Sequence, residues 1–358
     1  MIVLIALRQG KLIDAAFAER RGDYCCPACR QHVSLRHGTQ VQPYFAHRAK
    51  ATCTIFSEGE TAQHLAGKRQ LLAFFAPWGR VSLEHVLPTI QQRADGWIAR
   101  PTGKAIAIEF QCSPITTKQV LHRTRGYQKL GVYPFWILGQ RYSKQKLGWS
   151  LIERFATRLR GWGLCLLFWD VQRQRMRIDH HLYQDALGGY HGRTVWLANV
   201  ADLAAGNWQR LPKLELDYPA WRSRLARDLH LKNAAVLAIQ ERLYPAGHHV
   251  LDVPTALTTS AVTPPVFGQG LLLWRALVAS QLLKQPATTI SLANFKEVAD
   301  KSFQIVGGHR RAVWFTAEHA LEMAKRRLAR DLVASGYLRV ADDGWQVVKQ
   351  LRWVGESI

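Results

Sequence analysis

The stretch Arg93-Ala94-Asp95-Gly96-Trp97-Ile98 is followed by the turn-forming Arg100-Pro101-Thr102-Gly103 and then by Ala107-Ile108-Glu109-Phe110-Gln111. It reads as two strands, Arg93–Ile98 and Ala105–Phe110, joined as a hairpin. An acid near the start of one strand and an acid near the end of the next are thereby brought close together. Two carboxylates so placed suit a hard divalent cation, Mg²⁺ or Mn²⁺, and such an ion supports phosphodiester hydrolysis. Gln111 lies two residues beyond Glu109 and points to the same strand face. Its amide can orient a water or a phosphate, but it cannot supply the positive charge of a lysine.

The segments on either side extend this reading. Glu60, His64 and Lys68 are four residues apart, along one stripe of a helix whose apolar side is Leu65, Leu71, Leu72 and Phe75; Pro77 and Gly79 end it. A solvated polar face held by weak i,i+4 attractions is the bland alternative. Beside the hairpin, the stripe reads instead as part of the site: Glu60 or His64 completes an outer metal shell or shuttles a proton, and Lys68 or Arg123 replaces the missing lysine charge. A second helix runs through Lys118, Arg123 and Tyr127. Arg123 and Tyr127 share a face suited to gripping a phosphate, with an exposed basic helix as the alternative. Tyr133–Gly139 and Gly163–Trp169 are near-continuously apolar, as strands buried on both faces are, and Met176–Ile178 is a short third. This alternation predicts an α/β fold, a restriction-endonuclease-like mixed sheet flanked by helices.

Length and charge bound the partners. With 358 residues the chain can bury two or three cores, and with 48 Lys+Arg against 26 Asp+Glu its formal charge is +22 and its pI about 10.2. Such an excess has no purpose for a small neutral substrate, whereas a polyanion exchanges condensed counterions for it. DNA, single- or double-stranded, is the expected partner. No run approaches the roughly 18 apolar residues of a membrane span. The opening Met1–Leu7 lacks a basic leader region and meets Arg8 too soon for a secretion signal, so it reads as a strand and the expected location is cytoplasmic.

Four of the six cysteines lie between Cys25 and Cys53. Cys26-Pro27-Ala28-Cys29, His47 and Cys53 have the spacing of a structural zinc site, four soft or borderline ligands on turns that need little core. Cys25 and His37 are alternative ligands. The alternative is four reduced cysteines without metal. The site is expected to brace an N-terminal zinc-binding β segment, with no open position for chemistry.

The C-terminal part reads as a helix around Tyr218–Leu243, a linker from Pro254 to Pro265, and an amphipathic helix over Gly270–Leu283. Helices at Leu292–Ala299 and Thr316–Ser335 and a hairpin at Leu338–Val348 complete it. Helices followed by a hairpin predict a winged-helix-like C-terminal module in which Lys325, Arg326, Arg327 and Arg330 meet phosphates. A solvated charged face or a protein-docking module is the alternative. The expected divisions are 1–55, 56–185, 186–264 and 265–358.

Several stretches, taken together and in order, are familiar. These are Cys26-Pro27-Ala28-Cys29 with Tyr44-Phe45-Ala46-His47; Glu60-Thr61-Ala62-Gln63-His64-Leu65 with Lys68; Arg93-Ala94-Asp95; Ile108-Glu109-Phe110-Gln111-Cys112-Ser113; and Arg123-Thr124-Arg125-Gly126-Tyr127 leading to Trp136-Ile137-Leu138-Gly139. Through them the chain resembles the competence protein CoiA family over roughly its first 180 residues. That family is itself similar to PD-(D/E)XK nucleases and carries glutamine where lysine is usual, so Gln111 conforms to the family. The resemblance implies a DNA nuclease of natural transformation, acting on incoming DNA near recombination or DNA-uptake proteins. Two other readings compete: a non-catalytic scaffold that hands DNA to the recombination machinery, and a transcriptional regulator working through the C-terminal module.

Overall fold

The computed structural model describes residues 2–38, 42–48, 62–207 and 216–353. Among them the chain forms two compact units. The first comprises Met1–Lys146, Glu153–His180 and Arg193–Trp208, the second Leu147–Ile152, His181–Gly192 and Gln209–Ile358.

The first unit opens with short strands β1 (Ile2–Val3), β2 (Ile5–Arg8), β3 (Lys11–Asp14), β4 (Tyr24–Cys25), β5 (His32–Arg36) and β6 (Tyr44–His47), in the sheet order β1-β6-β5-β4-β2-β3. Its core is small: Val3, Ala6, Tyr24, Cys26, Val33 and Phe45 are buried together. After helix α1 (Ala62–Phe75) come β7 (Arg80–Leu87), β8 (Gln92–Ala99), β9 (Ala105–Gln111), α2 (Thr117–Lys129) and β10 (Tyr133–Leu138). Then follow α3 (Gln140–Ser143), α4 (Trp149–Phe155), β11 (Thr157–Leu159), β12 (Gly163–Asp170), β13 (Arg175–Gln184), β14 (Tyr190–Leu197) and α5 (Val200–Ala205). The large sheet has the order β14-β13-β12-β10-β9-β8-β7, with β11 beside β12. Strands β9, β10 and β12 are parallel; β7, β8 and β13 pair antiparallel with their neighbours. This is the expected mixed sheet flanked by helices.

Local chemistry explains the positions of the two key helices. Thr116 and Gln119 form a reciprocal capping box that starts α2. In α1, Gly67 lies against Phe110: a Cβ there would stand 2.1 Å from the Phe110 ring, so the missing side chain lets α1 approach β9 closely. Leu71, Leu72 and Phe75 then pack with Ile106, Ile108 and Phe110. Alternate residues of a strand face opposite sides. Ala107 accordingly clusters with Tyr127 of α2, so the two helices address the Asp95/Glu109 hairpin from its two faces.

The second unit contains α6 (Tyr218–His230), α7 (Ala234–Leu243), α8 (Leu271–Leu282), β15 (Thr289–Ser291), α9 (Leu292–Ile305), α10 (Glu318–Ala334), β16 (Leu338–Ala341) and β17 (Gly344–Val347), with the three strands ordered β15-β17-β16. Five sequence expectations change, three of them here and two in the large sheet. The helix around 218–243 is two helices, broken at residues 231–233. The 254–265 segment is no linker: Leu257 and Ala261 sink into the core, and Thr263 bridges Gln184. Helix α8 is not amphipathic, since eleven of its twelve residues are buried and neighbours cover every side. The short strand at 176–178 is the ten-residue β13, and β14, from the segment expected to be a connector, extends the large sheet. No helix among the described residues is long and apolar enough to cross a membrane.

Candidate functional site

Strands β8 and β9 pair from Ala99↔Ala105 to Gly96↔Ile108, where the ladder ends. Immediately beyond lie Asp95 and Glu109. Asp95 Oδ2 accepts the Phe110 backbone N–H at 2.9 Å, taking the place of a strand partner, and stands 3.3 Å from His64 Nε2. Lys68 Nζ is 3.9 Å from Asp95 Oδ1. Thus α1 supplies an imidazole and an ammonium to one carboxylate, His64 and Lys68 lying on the one stripe that their i,i+4 spacing gives. The third member of that stripe, Glu60, lies outside the described residues, and so does the predicted zinc ligand Cys53.

Glu109 is held from the other face by α2. Arg123 Nη2 donates to both of its oxygens at 2.7 Å and to Arg93 O at 2.9 Å, and the Tyr127 hydroxyl donates to Glu109 Oε1. Tyr127 is fully buried, so the phosphate grip expected of the pair becomes a carboxylate cradle: a buried carboxylate needs donors, and these two side chains provide them. Gln111, also buried, donates from Nε2 to Ser113 O at 2.8 Å and Ser113 Oγ at 3.1 Å, which fixes its amide beside the acids.

Glu84 is a member that sequence reasoning missed. It stands in β7 between the pairs Leu83↔Gly96 and His85↔Ala94, opposite Asp95, with a left-handed φ of 52°. The ion pair Lys68 Nζ–Glu84 Oε1 measures 2.6 Å with both side chains fully buried, and Arg93 Nη1 lies 3.5 Å away. Glu84 Oε2 accepts the backbone N–H groups of Leu4 at 2.8 Å and Ile5 at 3.1 Å, linking the N-terminal strands to the site. Glu84 falls on the polar side of the Val81–Leu87 alternation, so the sequence offers no sign of its burial.

These surroundings push the two acids apart. Burial alone raises a carboxylate, but His64, Lys68 and Arg93 hold Asp95 well below the usual range. Burial pushes Glu109 up to about 7, against the pull of Arg123 and Tyr127, and the charge on Asp95 adds to the rise. An ionised carboxylate offers about four lone-pair sites. Asp95 Oδ2 and Glu109 Oε1 each have two neighbours already, whereas Asp95 Oδ1 and Glu109 Oε2 keep acceptor capacity. Lys68, Arg93 and Arg123 already face the acids of this site, so what it could offer a hard divalent cation is the remaining acceptor capacity of Asp95 Oδ1 and Glu109 Oε2.

A second cluster lies in the N-terminal sheet. Cys26, Cys29 and His47 present ligand atoms all within 4.8 Å of one another, with Cys29 Sγ 3.4 Å from His47 Nε2. The knuckle is shaped by Cys26 N–H to Gln31 O at 2.8 Å and Arg30 N–H to Cys26 O at 2.9 Å, with Ala28 N–H directed at Cys26 Sγ. Cys25 and His37 are not in the cluster. This grouping can bind a metal such as zinc.

In the second unit, Lys325 is buried and its ammonium meets Asp300 at 3.1 Å and Glu322 at 2.8 Å, so it is not a surface phosphate ligand. Arg326, Arg327 and Arg330 are exposed on α10.

A mixed sheet with paired acids at a diverging hairpin, preceded by a metal-capable cysteine–histidine cluster, defines a nuclease-like α/β protein. The comparisons agree. The family model described as "Competence protein CoiA, nuclease-like domain" matches residues 60–191, and "Competence protein CoiA, N-terminal domain" matches residues 10–56. Together they cover half of the chain, which belongs to the competence protein CoiA family. It is similar to "Competence protein CoiA" of Bacillus subtilis (strain 168), 38% identical over 140 residues, covering 38% of this chain and 36% of that protein. It is also similar to "Druantia protein DruB" of Escherichia coli (strain UMEA 4076-1), 37% identical over 92 residues, covering 22% of this chain and 17% of that protein. The match therefore spans about a third of the first relative's length and about a sixth of the second's. No solved structure matches the chain.

Proposed function

We propose that this chain is a Mg²⁺- or Mn²⁺-dependent DNA nuclease acting in competence. The observation that carries the reading is the pair of buried carboxylates, Asp95 and Glu109, side by side where β8 and β9 part, within the segment matched by the nuclease-like family model. Asp95 and Glu109 would hold the cation, which would activate water and neutralise the charge that develops on the phosphate. The chain's own residues do the rest. Arg123 and Tyr127 fix the rotamer of Glu109, and His64 fixes that of Asp95. Gln111, anchored on Ser113, offers its amide oxygen to orient the attacking water. Lys68 supplies positive charge beside Asp95 without entering solvent. The net charge of +22 draws DNA to the surface.

The order helix–strand–helix–helix–hairpin from α8 to β17, with sheet order β15-β17-β16, supports a winged-helix-like C-terminal module that adds DNA contacts through Arg326, Arg327 and Arg330. Zinc at Cys26, Cys29 and His47, with Cys53 as fourth ligand, braces the N-terminal sheet. A scaffold that binds DNA without cutting it is the second reading. It is favoured by one observation, the double occupation of Glu109 by Arg123 and Tyr127.

Cleavage of labelled linear and circular DNA, single- and double-stranded, in EDTA, Mg²⁺ or Mn²⁺ tests the proposal. Cutting is expected only with metal. Loss of several kcal/mol of charge stabilisation should make Asp95→Ala and Glu109→Ala slower by roughly 10³-fold or more. Binding without cutting in any metal points to the scaffold. Separately, His47→Ala should lower the zinc content of the purified protein, and unchanged stoichiometry removes His47 from the ligand set.

A further inference from the structure

The parallel strands β9, β10 and β12 end in one row, with Leu138 paired to both Gln111 and Phe168. The crevice beyond the carboxyl ends of such strands is where open α/β sheets take ligands. Here a recess opens, lined by Gln63, Gln140, Trp169, Asp170, Arg177 and Trp196 among others. It adjoins the carboxylate site through two short links. Gln63 precedes His64, whose ring meets Asp95, and Gly139, next to Gln140, donates its N–H to Gln111 O at 2.9 Å.

The chemistry of this recess is not that of a phosphate-only surface. Trp196 is a large apolar side chain left 38% exposed, and the Arg173 guanidinium lies 5.1 Å from its ring centre. Arg177 stacks over Phe168 at 4.0 Å and donates to Ser143 O at 3.2 Å, which makes one wall rigid. Gln63 and Gln140 face each other with their amides 3.4 Å apart. Asp170, the acid in the lining, is turned to its own loop by the N–H groups of Gln172 and Arg173, each at 2.9 Å. An aromatic face backed by guanidinium groups, with two primary amides in reach, matches the π-face and the hydrogen-bonding edge of a nucleobase. In a duplex the faces are stacked and the pairing edges occupied, so only an unpaired base can use both features.

We infer that this recess seats an unpaired base stacked on Trp196, and that the substrate which reaches the carboxylates is single-stranded DNA. The inference rests on the proposed action on DNA and adds its strand class. Arg177, paired with Asp179 at 3.2 Å, stays in the wall, whereas the exposed Arg173, 3.9 Å from Asp170, meets a flanking phosphate while Gln63 and Gln140 contact the base edge.

The test is equilibrium binding of the full chain in EDTA, where nothing is cut, read by fluorescence anisotropy. The probes are a labelled 20-nucleotide thymidine strand, the same strand with abasic sites throughout, and a closed hairpin duplex. The thymidine strand should bind at least tenfold tighter than the duplex. Removing a base-stacking aromatic should then weaken it by roughly 5- to 150-fold in Trp196→Ala, with Trp196→Phe restoring most of the loss. Duplex and abasic binding should not change. Equal affinity for strand and duplex, or Trp196→Ala leaving the thymidine strand unchanged, overturns the inference while leaving DNA as the partner. Absence of binding to all three probes overturns both this inference and the nuclease reading. Circular dichroism of both variants confirms folding, which the exposure of Trp196 favours.

Discussion

The two units bury charge differently. In the first, Lys68 and Glu84 are both fully dry, and Asp95 and Glu109 lie nearly so beside them. In the second, Arg275 and Lys325 are also buried, but their partners stay wet: Asp331 is 34% exposed and Asp300 41%. Two dry ions bear two desolvation penalties, which their mutual attraction repays only with good geometry and further hydrogen bonds. A buried cation whose acid remains in solvent bears one. The second arrangement is what a helical core tolerates at its rim; the first persists only where the groups serve one another, and here they converge on the acids proposed to hold the metal.

The sharpest way to break this comparison is to remove one ion from each unit. Lys68→Met leaves Glu84 charged and unpaired in the interior apart from Arg93, and should lower stability by about 3–5 kcal/mol. Arg275→Met leaves Asp331 in contact with water and should cost clearly less, about 1 kcal/mol in electrostatics. Adding Glu84→Gln to Lys68→Met keeps an acceptor for Leu4 and Ile5 and should recover most of the loss. Denaturant unfolding followed for both units measures this. Equal losses from the two single variants would mean that burial of both partners does not distinguish them.

A smaller effect sharpens the comparison at the backbone. Gly67→Ala improves helix propensity by about 1 kcal/mol. The new Cβ, however, meets the Phe110 ring at 2.1 Å, and overpacking of this kind costs about 1–3 kcal/mol. We expect a net destabilisation together with weakened cleavage, since α1 carries His64 and Lys68 to Asp95. A stabilised variant with full activity would show that the close approach of α1 is not needed.

What could be read from the residues follows from the range of each interaction. Asp95, Glu109 and Gln111 could be placed together because two-residue periodicity and a Pro-Gly turn are local, and α2 was legible as the helical run through Lys118, Arg123 and Tyr127, though the Thr116–Gln119 box that starts it was not read. The Cys26–Cys29–His47 cluster was legible from spacing, which favoured Cys26 over Cys25 and His47 over His37, and the three ligand atoms converge. Glu84 was not assignable, since its partners Leu4 and Ile5 come from 80 and 79 residues away. Nor could composition tell that Leu257 and Ala261 anchor a Thr/Ala/Pro-rich segment, or that neighbours surround α8. The inward turn of Arg123 and Tyr127 was hidden for the opposite reason: the i,i+4 spacing is correct, but it does not say which face meets the protein.

The smallest expected effect concerns the second unit, where a titrating ring is half-buried with no ionic partner among the described residues. His309 stacks on Trp149 at 4.0 Å with the rings nearly parallel, and burial lowers it from 6.5 to about 4. The folded state therefore disfavours the protonated ring. Its stabilising share is fully present above about pH 6.5 and is lost as the pH falls toward 4. His309→Phe retains the stacking and removes the titration. The stability difference between the parent chain and this variant should shift in favour of the variant between pH 6.5 and 4 and stay flat above. Because the ring keeps some contact with solvent, the change should be much smaller than the Lys68→Met loss. A difference that is constant across this range would mean that His309 can leave its stack and meet water when it gains a proton.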